Sequence, residues 1–203
     1  MYKYFKTLLI ILTICLSTIA SAQTIGQVVH DKDAGNNDVA RALGMDLYKF
    51  NYTVDSAAYD VDVWLEQWDQ GSSEPVRLTE GKTSHGNPFT KGDIVFSRAD
   101  DVTTVEGGRA FWRIGFSWAD NAKTTVSSRD QKIIKNPLHG IPGGQMNSSI
   151  TKSDIKLRED ISLVTWSAGA PCMVSNHETN VRVNARTVYL KMKVMPHGEL
   201  TPE

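Results

Sequence analysis

Residues 59–68 read Tyr59-Asp60-Val61-Asp62-Val63-Trp64-Leu65-Glu66-Gln67-Trp68, an alternation in which Tyr59, Val61, Val63 and Leu65 share one face and Asp60, Asp62, Trp64, Glu66 and Trp68 the other. Successive side chains of a strand point to opposite faces, so period two over this length reads as a half-buried β-strand. Asp69 to Ser73 follow as a cluster of turn-forming residues, and Val76 to Thr79 return as the second arm of a hairpin.

The same period recurs on either side. Tyr48, Phe50, Tyr52 and Val54 alternate with Lys49, Asn51 and Thr53. Ala110, Trp112, Ile114, Phe116 and Trp118 make the heaviest apolar face, opposite Phe111, Arg113, Gly115 and Ser117, which marks a central strand. Ile161 to Trp166 forms a short strand, and Val188, Leu190, Met192 and Val194 alternate with Tyr189, Lys191 and Lys193 in a last one. Asp31 to Asp38, Thr83 to Lys91 and Asn136 to Ser149 are rich in Gly, Asn, Asp, Ser or Pro and read as loops. An irregular turn is expected around Pro171 to His177, and a loose tail from His197 to Glu203. No helical period is sustained over three turns. Many short strands without a βαβ rhythm predict an all-β fold, an antiparallel β-sandwich, with a partly open barrel as the alternative.

The chain opens differently. Lys3 and Lys6 precede an apolar stretch from Leu8 to Cys15, and Ala20-Ser21-Ala22 supplies the small residues of a cleavage site. Residues 1–22 therefore read as a secretory signal peptide, with Gln23 as the mature N-terminus and residues 23–203 as a single domain. The apolar run falls short of the roughly 20 residues of a transmembrane anchor, and Ile14 before Cys15 does not suit lipoprotein processing. A periplasmic or extracellular location follows as the expectation.

Removing Lys3 and Lys6 with the leader leaves 20 basic residues of 22 against 23 acidic ones. With no single-sign run, this balance does not recommend nucleic acid or an anionic membrane as a partner. Cys172 is the lone cysteine of the mature chain, so no intrachain disulfide forms there. The Asn51 and Asn147 sequons bear on function only in a eukaryotic host.

Motifs of chemistry are weak. The acidic loop at Asp31, Asp33 and Asp38 fails the calcium-loop register, because Gly35 stands at a ligand position and Ala42 where the closing glutamate belongs. Cys172 and His177 are the residue types of a thiol nucleophile and its base, without a surrounding signature. His30, His85, His139, His177 and His197 are scattered singly, without metal-ligand spacing. Gly143 and Gly144 read as a turn requiring positive φ. No catalytic residue, metal or cofactor is assigned.

The surplus is aromatic. Trp112 and Trp118 belong to a core face, whereas Trp64 and Trp68 share the acidic face with Asp60, Asp62 and Glu66. If exposed, that strip is a ligand-binding surface. The expected function is a non-catalytic binding module for a protein or carbohydrate partner. The alternatives are a subunit of a surface fibre or homo-oligomer built by strand pairing, and a hydrolase using Cys172 and His177.

Overall fold

The computed structural model describes residues 23–33, 40, 42–56, 58–79, 82–83, 90–100, 111–120, 127–169 and 177–199. Its strands are β1 (Thr24–Asp31), β2 (Met45–Val54), β3 (Tyr59–Asp69), β4 (Val76–Arg77), β5 (Lys82–Thr83) and β6 (Lys91–Asp100), then β7 (Phe111–Asp120), β8 (Ser127–Lys135), β9 (Gly144–Ser149), β10 (Lys152–Lys156), β11 (Asp160–Gly169) and β12 (Arg186–Pro196). A short helix, α1 (His177–Val183), precedes β12. All pairings are antiparallel. One sheet runs β10-β1-β2-β6-β7-β8 and the other β4-β3-β12-β11-β9, with β5 also pairing β3. Both sheets end in edge strands, so the architecture is the sandwich and not the partly open barrel.

The apolar faces read from the sequence meet between the sheets. Phe50, Tyr52 and Val54 of β2, Val61, Val63 and Leu65 of β3, Trp112 and Ile114 of β7, and Val188, Leu190, Met192 and Val194 of β12 are all buried in one core. Strand β7 lies between β6 and β8, an interior position; the side chains of Phe116 and Trp118 lie outside the described residues. The β3–β4 hairpin turns through Gly71 at φ 74°, and its return arm continues past Arg77. The Leu78 amide donates to the Leu65 carbonyl at 2.9 Å, and the Leu65 amide to Thr79 Oγ1 at 2.9 Å.

Other expectations are corrected. The loop drawn from Asn136 to Ser149 contains β9, which carries no apolar alternation because all six of its residues are exposed. The positive φ expected of Gly143 is present at 106°, and a Cβ there would lie 2.1 Å from the Gly169 carbonyl oxygen; Gly144 instead begins β9. The turn expected to reach His177 gives way to α1 from that residue onward, while Pro171 and Cys172 lie outside the described residues.

The tail is not loose at its start. Asp60 accepts from the Gly198 amide at 3.0 Å and bonds His197 Nδ1 at 2.9 Å, and Arg158 Nη2 reaches Glu199 Oε1 at 2.7 Å. A carboxylate that is 2 % exposed needs hydrogen-bond partners, and the chain's return past β3 supplies them.

Candidate functional site

The outward face of β3 is built by its partner β12. Register places Lys193 opposite Asp62, Lys191 opposite Trp64 and Tyr189 opposite Glu66, so a basic row lies directly beside the acidic and aromatic one. Lys191 Nζ is 2.6 Å from Glu66 Oε1, and Lys193 Nζ is 2.7 Å from Asp160 Oδ1 on β11. From the hairpin, Arg77 Nη2 donates to Asp62 Oδ2 at 2.9 Å.

Cations also cover the indole of Trp64. The Arg77 guanidinium carbon is 4.9 Å from its ring centroid and Lys193 Nζ 5.9 Å, both within cation–π range. Glu66 gathers both indole donors, accepting from Trp64 Nε1 at 3.0 Å and from Trp68 Nε1 at 2.8 Å.

The exposure on which a ligand-binding strip depends is not found at its centre. Trp64 is 6 % exposed, Asp62 7 % and Glu66 4 %, because long basic side chains lay their stems across the face they neutralise. Sugar stacking on a bare Trp64 face is not offered in this arrangement. Nor do the five candidates form one site. Asp60 is engaged by the turn after β12, and Trp68 lies beyond Glu66. Asp62, Trp64 and Glu66 do converge, on a cavity of about 330 Å³ completed by Pro75 and Arg77 from the hairpin and by Lys193 and Met195 from β12.

Of the Asp62 carboxylate, Oδ1 is buried without a hydrogen-bond partner among the described residues. Burial raises the Asp62 carboxyl above its ordinary value of 3.8, while the Arg77 charge and hydrogen bond, the Val63 backbone amide and the Lys193 charge pull in the opposite direction. As pH rises from 3.8, the unfolded chain releases this proton before the folded one does. The Asp62 contribution is therefore fully present below 3.8 and is lost as pH climbs through the raised value. Asp62→Asn removes that loss, so its stability relative to the native chain should rise across this window. Thermal melts over a pH series check it; a constant difference from below 3.8 to neutral pH would contradict it.

Neither a family model, nor a curated protein, nor a solved structure matches the chain. The reading of the cavity accordingly rests on its own chemistry. Two carboxylates, Asp62 and Glu66, face two cations, Arg77 and Lys193, so its lining is close to charge-balanced and offers both donors and acceptors.

The remaining candidates do not join it. Cys172 and the His177 side chain lie outside the described residues, as does Asp38 of the acidic loop. Asp31 is 3.4 Å from Lys49 Nζ and accepts from the Asp33 amide at 3.2 Å, as in an ordinary Asx turn. Among the described residues no group of His, Cys, Asp and Glu has metal-site geometry.

Arg77 and Lys193 were not singled out from sequence. The outward phase of Lys191 and Lys193 is legible in the alternation of the last strand, but its pairing with a strand over a hundred residues earlier is not.

Proposed function

We propose that this chain is an exported, non-catalytic β-sandwich module that binds a carbohydrate in the cavity over β3. The observation that carries the reading is a cavity of about 330 Å³ over β3 whose wall joins the Asp62 and Glu66 carboxylates to the Arg77 and Lys193 cations and to Met195.

A hydroxyl-rich ligand suits the lining. Its hydroxyls donate to the Asp62 carboxylate and accept from Arg77 and Lys193, and its C–H groups rest on Met195 and Pro75. A ligand of strong net charge gains little from a charge-balanced cavity. A protein partner remains the competing occupant. Export rests on the leader pattern of residues 1–22.

The test is a glycan array and a pull-down of host polysaccharide with the native chain beside Asp62→Asn. The amide oxygen of the variant still accepts, so it forfeits only the charge assistance of the hydrogen bond, about 1–1.5 kcal/mol, and should bind about five- to tenfold more weakly while far-UV circular dichroism is unchanged. Equal binding by both chains, or retention of protein and no saccharide, would refute the proposal.

A further inference from the structure

The sheet edges differ in how they are protected. On β10, Lys152, Asp154 and Lys156 place charge along the edge, and β8 carries Lys132 and Lys135. Strand β4 is only two residues long. Short length, charge and proline are the usual defences of an edge against pairing with another chain. Strand β9, Gly144-Gln145-Met146-Asn147-Ser148-Ser149, has none of them: it is six residues long, uncharged, free of proline and exposed throughout. It is also firmly placed. Its inner side pairs with β11 from Val164↔Ser149 to Gly169↔Gly144, and Ser149 Oγ lies 3.1 Å from His30 Nδ1 of the opposite sheet.

From this edge we infer that β9 pairs antiparallel with β9 of a second copy of the chain about a two-fold axis, with Asn147 opposite its own counterpart. The strand's self-complementarity selects that occupant. With Asn147 on the axis, Met146 faces Ser148 and Gln145 faces Ser149, so no like charges oppose and the amide and hydroxyl side chains each both donate and accept. A two-fold contact is isologous, using the same patch on both subunits. It joins the two β4-β3-β12-β11-β9 sheets into one continuous sheet. The cavity over β3 lies on the far side of β11 and β12 from the joint, so pairing leaves it accessible.

Sedimentation of the purified full chain over a concentration series tests the pairing. The native chain should pass from monomer to dimer as concentration rises. Asn147→Lys and Asn147→Glu, each setting like charges face to face, should remain monomeric, and an equimolar mixture of the two should recover the dimer. Hydrogen exchange on the native chain tests it without any variant: amides within residues 144–149 should slow with concentration and those of β10 should not. A native chain that stays monomeric, a dimer indifferent to both charges, a mixture that fails to reassociate, or protection appearing on β10 in place of β9 would each overturn the inference.

Discussion

Glu66→Ala should destabilise the fold by about 3–5 kcal/mol, the range for removing one partner of a buried ion pair. The carboxylate is 4 % exposed and accepts three donors, the indole nitrogens of Trp64 and Trp68 and the Lys191 ammonium. Truncation leaves an ammonium with 12 % side-chain exposure without its nearest anion, since the next carboxylate, Asp160, stands 3.7 Å away and also holds Lys193. Two buried or half-buried indole donors lose their acceptor at the same time. Glu66→Gln should cost less, because the amide oxygen still accepts while its NH2 group opposes the remaining donors.

For a domain of this size 1 kcal/mol moves the melting temperature by roughly 2–4 °C, so the alanine variant should melt on the order of 10 °C lower. Urea unfolding with tryptophan fluorescence measures both the loss and the altered surroundings of Trp64 and Trp68. A change below about 1 kcal/mol would place Glu66 among surface ion pairs, contrary to its burial. The roles of neighbouring residues separate here: Glu66 accepts from Trp64, Trp68 and Lys191, whereas Asp62 lines the cavity with Arg77 as its side-chain donor. Asp62→Asn therefore reads ligand binding, and Glu66→Ala reads the scaffold beneath it.

How far the fold was legible follows from how each strand is buried. Strands β2, β3, β7 and β12 turn alternate apolar side chains into the core, so their alternation is written plainly in residues 48–54, 59–65, 112–114 and 188–194, although β3 and β12 also bury outward residues such as Asp62, Trp64, Glu66 and Tyr189. Strand β1 hides its pattern because a bulge between Thr24 and Gly26 puts Ile25 and Val28, three residues apart, into the same core. Gly26 is required there, since a Cβ would stand 2.0 Å from the Thr53 carbonyl oxygen. Strand β10 buries only Ile155, and β9 buries nothing, so neither has an apolar signal to read.

The site was legible one residue at a time and not as an assembly. Alternation put Asp60, Asp62, Trp64, Glu66 and Trp68 on one face, and the structure keeps them there. What divides them is the company each meets from distant parts of the chain: Lys191 and Lys193 across the sheet, Arg77 over the hairpin, and His197 and Gly198 past the last strand. No local pattern encodes those encounters, and they decide that Asp60 is held by the turn after β12, Glu66 by three donors and Asp62 by Arg77 at the cavity wall.

Trp166→Ala is the second large effect, again about 3–5 kcal/mol, the usual cost of deleting a buried tryptophan or phenylalanine side chain. Trp166 projects from β11 and is 2 % exposed. Its ring lies 5.7 Å from Tyr48 in an edge-on contact, 5.7 Å from Phe96 and 5.9 Å from Trp112, and those three come from β2, β6 and β7 of the opposite sheet. One side chain thus couples three strands of the facing sheet to β11. Aromatic pairs at these separations add to the stabilisation from buried area, and the space left by deletion cannot be refilled by strands held in register on both sides. Against a total stability of roughly 5–15 kcal/mol for a domain, such a loss brings the fold close to its limit. Trp166→Phe keeps part of the contact and should recover a good share of it. The near-UV circular dichroism of the Trp112–Trp166 pair should vanish in both variants, while the urea midpoint falls steeply only in the alanine one. If the midpoint hardly moves, the two sheets are held together elsewhere in the core, and the aromatic cluster merely fills space between them.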